Sequence, residues 1–155
     1  MTQGTNCGLP TSFGTFSPTN FVANGTASSG IIYNAALNSD ATPDIVRLEL
    51  FAANTPFPAD ITTGTYQLTG AQLNYATCGV CVLIDANFDF NTENSQFVYM
   101  ATGGSVTINN VTGSISGTLN NVTFQKVTIG SNYVSTPVGD GCVTSITSLP
   151  FNAPL

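Results

Sequence analysis

Charge is what this chain has least of. Of its 155 residues two are basic, Arg47 and Lys126, eight are acidic, and neither histidine nor tryptophan occurs. The shortage of cations argues against nucleic acid as a partner, because phosphates are held by clustered Lys and Arg that displace counterions. An anionic membrane surface is disfavoured on the same ground. Without histidine, a Ser-His-Asp or Cys-His nucleophilic system has no base. Long apolar runs are missing too. The longest, Val80 to Ile84, falls well short of the roughly 18 residues that a transmembrane segment takes.

What is present is a neutral polar chain with a sizeable apolar share. Hydrophobic residues make up 42% and the net charge is −6, whereas disordered chains combine low hydrophobicity with high charge. The length suits one domain covering residues 1–155, able to bury about two-thirds of its unfolded surface. No linker or shift in composition divides it.

Several segments alternate apolar and polar residues, the pattern of half-buried strands. Ile31, Tyr33, Ala35 and Leu37 form one such face, and Val46, Leu48 and Leu50 another, with Arg47 and Glu49 opposite. Val82, Ile84, Ala86, Phe88 and Phe90 oppose Asp85, Asn87, Asp89 and Asn91. Turn signals such as Asn24-Gly25, Thr63-Gly64, Gly103-Gly104, Thr112-Gly113 and Gly139-Asp140-Gly141 punctuate the runs. Starts near residues 12, 20, 30, 44, 64, 80, 96, 104, 114, 122 and 142 predict about ten strands. The expectation is an all-β protein: one antiparallel, jelly-roll-like β-sandwich with little or no helix. Apolar parity switches between Phe124 and Val127, which predicts a bulge near Gln125-Lys126. Lys126 beside it reads as a charge guarding a sheet edge.

Four cysteines, Cys7, Cys78, Cys81 and Cys142, read as two structural disulfides of an oxidising compartment. A zinc site would want a second close pair, and a thioredoxin-like Cys-X-X-Cys would want a βαβ setting. Residues three apart on an extended strand sit too far apart to bond. If Cys78-Gly79 forms a turn instead, Cys78–Cys81 and Cys7–Cys142 are the preferred pairs. The two crossed pairings stay open.

Asp85, Asn87, Asp89, Asn91 and Glu93 space their oxygens like a calcium loop, but Phe90 stands where that loop needs glycine and Gln96 where it needs an acid. Two readings follow: an outer polar row leading into a hairpin, or a calcium site near the Asp89–Glu93 turn. No other cofactor is expected. Arg47 and Glu49 read as a surface ion pair worth under about 1 kcal/mol. Asp85, Asp89 and Glu93 are the only dense set of acids, thin material for a paired-carboxylate enzyme. Tyr33, Tyr66, Tyr75, Tyr99 and Tyr133 offer either sandwich-rim packing or stacking platforms for sugars. The apolar tail Ser148–Leu155 either packs across its own sheet or docks on a second copy.

Gly64-Thr65-Tyr66-Gln67-Leu68-Thr69, Ala76 to Ile84 around Cys78 and Cys81, Tyr99 to Ile108, Ile115 to Phe124 and Gly141-Cys142 form a recurring set of strand and turn signatures. Over residues 60–145 the chain resembles small exported, often lipoprotein-like, β-rich proteins of myxobacteria and related deltaproteobacteria. That resemblance implies a secreted or surface location and a β architecture, with no assigned activity. Residues Met1 to Cys7 carry neither the basic start nor the apolar stretch of a signal peptide, so an export signal is expected to have been removed ahead of Met1. Lipid anchoring stays open. The function expected is a non-enzymatic structural or interaction protein, self-associating through sheet edges or its tail, with a calcium- or carbohydrate-binding module as the alternative.

Overall fold

Nine strands carry the described residues, 6–155, of the computed structural model. They are β1 (Phe21–Thr26), β2 (Gly30–Ala36), β3 (Ile45–Phe51), β4 (Gly64–Gln67), β5 (Val80–Ala86), β6 (Phe97–Asn110), β7 (Ser114–Ile129), β8 (Ser135–Pro137) and β9 (Val143–Pro154). Among the described residues the one helical element is a 3-10 turn at Gly70–Leu73. Met1, ahead of which the export signal is expected, lies outside the described residues.

All strands join one antiparallel sheet in the order β1-β2-β3-β5-β6-β7-β8, with β4 on β6 and β9 on β7. Most neighbours are consecutive in the chain, so the path is largely a meander rather than a jelly-roll winding. The starts expected near 104 and 122 are not separate strands. Gly104, at φ 99°, and Asn121, at φ 47°, sit at register shifts between β6 and β7. These bulges bend two long strands without ending them. The start expected near 12 is a short stretch, Phe13 to Phe16, hydrogen-bonded to β9 through Phe13 N to Ser145 O, Thr147 N to Gly14 O and Phe16 N to Ser148 O. The three-residue β8 had no signal in the sequence.

The sheet curls over onto itself. The rings of Tyr33 on β2 and Phe151 on β9 lie 5.4 Å apart, although four strands separate β2 from β9 in the sheet. In a flat sheet those strands would stand about 24 Å apart. Between the two halves sits one core, built from Ile31, Leu48, Val82 and Ile84 on one side and Val106, Leu119, Val122, Phe124 and Leu149 on the other. The all-β antiparallel expectation holds, and the two packed layers are halves of one continuous sheet folded on its own inner face. Gly117 marks the tightest approach, where a Cβ would collide with the Thr107 carbonyl and the Phe151 ring.

No bulge occurs at Gln125-Lys126; pairing to β6 runs unbroken from Val98↔Val127 to Ala101↔Phe124. The parity switch has another cause. Val127 and Ile129 bury on the outer face, in a second apolar cluster with Cys78, Cys81, Leu83 and Met100. Lys126 keeps the inner parity of Phe124. Its ammonium lies 4.1 Å from the centre of the Phe97 ring, 2.7 Å from Asp140 Oδ2 and 2.6 Å from the Asn6 carbonyl. It ties the Asp140 loop to Asn6 instead of guarding an edge.

Both preferred disulfides are present, Cys7–Cys142 and Cys78–Cys81. The turn that lets Cys78 and Cys81 meet is pinned by Gln72, a buried side chain. Its Oε1 accepts the Gly79 and Val80 N–H groups, and its amide donates to the Thr55 carbonyl at 2.7 Å.

Candidate functional site

The outer face of β2, β3 and β5 holds the densest set of ionic groups. Arg47 stands between Asn34 and Leu83 in register, and Ile45 between Ala36 and Asp85, which sets Asp85 diagonally across from Arg47, within reach of a long side chain. Arg47 Nη2 lies 3.2 Å from Asp85 Oδ1 and Nη1 3.2 Å from Glu49 Oε1. Its Nε, 3.1 Å from Asp85 Oδ2, adds ion-pair contact without the alignment of a hydrogen bond. Tyr75 donates to Glu49 Oε2 at 2.7 Å, and Ser95 donates to Asp85 at 3.4 Å.

Arg47 and Glu49 are therefore no free surface pair. Glu49 is only 4% exposed, and the guanidinium is shared by two carboxylates. Sequence alternation placed both on an outward face, which is correct. It had no means to show that the segment with Tyr75 and Cys78 covers that face. Burial raises the Asp85 carboxyl above the ordinary carboxylate value, outweighing the opposing pull of Arg47. The Tyr75 phenol is pushed up to about 12, first by burial and then by its bond to the Glu49 carboxylate.

Beyond Ala86 the alternating pattern breaks. Asn87 turns into the left-handed region at φ 53°, a conformation that asparagine tolerates. Its N–H donates to Asp44 Oδ1 at 3.0 Å and its amide to Gln96 Oε1 at 2.6 Å. Phe88 and Phe90 consequently do not continue the inner face of β5. Phe90 is 64% exposed and meets the Phe88 ring edge-on, with centroids 5.0 Å apart.

The five residues read as a calcium row are thus dispersed. Asp85 faces Arg47, Asn87 bonds Gln96, and Asp89 accepts the Asn91 N–H at 2.8 Å to close a turn. Asn91 and Glu93 are exposed. Among the described residues no three acidic or cysteine side chains gather as metal ligands. The tyrosines divide as well: Tyr33 and Tyr99 are buried, Tyr66 and Tyr75 are half-buried and hydrogen-bonded, and Tyr133 is exposed.

A groove of about 440 Å³ opens over this outer face. Asn34, Ile45, Arg47 and Asp85 line it from the sheet, Val22 from β1, and Phe88, Phe90 and Glu93 from the loop after β5. Sequence reasoning missed Asn34 and the two phenylalanines as groove residues. The one available signal was Asn87, a residue type that commonly turns a strand.

The chain matches no protein-family model, no curated protein and no solved structure.

Proposed function

We propose that this chain is a non-enzymatic structural or interaction protein of the cell exterior that associates with further copies of itself through the edge of β1. One observation carries the reading. Strand β1 ends the sheet, pairs only with β2 among the described residues, is largely exposed, and bears no charge, proline or bulge. Proteins that stay apart normally guard such edges with those devices. The tail, the other candidate for association, is already spent as strand β9 against β7.

Supporting features concern the compartment and the chemistry. All four cysteines are oxidised, which fits an exterior or other oxidising setting. The outer face of β4, β6 and β7 carries Thr65, Thr107, Thr118, Ser105 and Asn120 in facing positions. Some of these bond to each other, as Thr65 does to Thr107 at 3.0 Å. The absence of histidine from the sequence fits the non-enzymatic part of the reading.

Sedimentation over a wide concentration range tests it. The native chain should show concentration-dependent dimers or larger species, and Asn24→Lys, which sets a charge on the β1 edge, should shift them to monomer. A particle that is monomeric at every concentration would overturn the proposal.

A further inference from the structure

The groove beside Arg47 has the make-up of a ligand site, one wall of which is Val22 of β1. Ligand sites are concave, mostly apolar, and carry a few convergent polar groups. Here the apolar part is the Phe88–Phe90 pair with Val22 and Ile45, and the polar part is Asn34, Arg47, Asp85 and Glu93. Each excludes a class of ligand. Arg47 is the groove's one cation and is committed to Asp85 and Glu49, while Glu93 adds an uncompensated negative charge at the rim. An anion would meet repulsion without a free partner. A purely apolar ligand would cover the Arg47–Asp85 pair and strip its water with no replacement. A cation, though drawn by Glu93 at the rim, would have to settle against the guanidinium.

A ligand of neutral hydroxyls escapes all three objections. Each hydroxyl both donates and accepts, so the hydroxyls of one ligand match both the exposed Glu93 carboxylate and the Asn34 amide. The Asn34 amide has no hydrogen-bond partner among the described residues and is free for this use. The C–H faces of a sugar ring carry slight positive charge and cover aromatic rings, whose faces are negative. We propose that the groove between β1, β2, β3, β5 and the Phe88–Glu93 loop binds a neutral glycan, with Phe90 as its stacking platform and Asn34 and Glu93 as its hydroxyl partners.

Affinity electrophoresis of the native chain through gels cast with a β-glucan, a mannan, a xylan or alginate tests the site. Retardation is expected in at least one of the three neutral gels and not in alginate, which is anionic. Phe90→Ala should weaken that binding roughly tenfold, the loss expected of a central aromatic contact, while the melting temperature falls by at most about 4 °C, since Phe90 is exposed and loses only its edge-on contact with Phe88. Asn24→Lys, which addresses only the β1 edge, should bind the glycan as the native chain does. No retardation in any neutral gel, equal retardation in alginate, or unaltered binding by Phe90→Ala would each overturn the assignment. Failure of self-association alone would leave it standing.

Discussion

Arg47 illustrates what one side chain decides in a protein with two cations. Its guanidinium is the only positive charge facing Glu49 and Asp85, both nearly buried. Removing one partner of a buried pair leaves the others charged without compensation, and the loss then exceeds the worth of the pair itself. Arg47→Ala should therefore lower the unfolding free energy by about 3 kcal/mol, read from the midpoint of a urea titration. A change within about 0.5 kcal/mol would mark the pair as an ordinary surface contact. Residue identities along β3 were legible in the sequence, including the shared face of Arg47 and Glu49. The third partner, Asp85, and the fourth, Tyr75, were not, because cross-strand register and the path of the covering segment are set by pairings far apart in the chain.

At the scale of elements, the two disulfides do different work. Cys7–Cys142 closes a loop with a separation of 135 residues, and Cys78–Cys81 one of 3. Chain entropy assigns roughly 5 kcal/mol to the first and roughly 2 kcal/mol to the second. Replacing Cys7 and Cys142 by serine should thus lower the denaturation midpoint distinctly more than replacing Cys78 and Cys81. The reverse order would show that the tight turn held by Gln72, not loop closure, governs stability. The strand register tells a related story. Gly103-Gly104 reads as a turn in sequence because glycines usually end strands, yet in β6 it allows a bulge against Asn121. The switch at Phe124–Val127 reads as a bulge because one inner face was assumed. The outer cluster around Met100 makes both faces of that stretch apolar.

For the whole molecule, the sparse charge shapes the response to acid. Burial raises the Asp44 and Asp85 carboxyls, so between the unfolded and folded values the native state binds more protons. By linkage, stability rises as pH falls through that window. Asp140 works in the opposite sense. The hydrogen bond from Lys126 holds its carboxyl below the ordinary value, and the stability it contributes is lost only as pH falls through that lowered value. Melting temperature should accordingly hold or rise from pH 7 down to about 4.5 and fall only in stronger acid. A steady decline across that range would contradict the burial of Asp44 and Asp85.

Composition and alternation by themselves determined that this chain is all-β, antiparallel and tied by two disulfides, since side-chain period and cysteine spacing are local properties of the chain. Cysteine pairing was narrowed to a preference, because three connectivities fit four cysteines until the turn at Cys78-Gly79 is seen. Only the tertiary structure decided that the sheet is continuous and curled on itself, that its tail pairs with β7 as a strand of the same sheet, and that Phe90 lines one groove with Arg47 and Asp85. Those outcomes depend on bulges, on which strand meets which, and on a loop redirected at Asn87, where many weak long-range contacts together outweigh the local pattern.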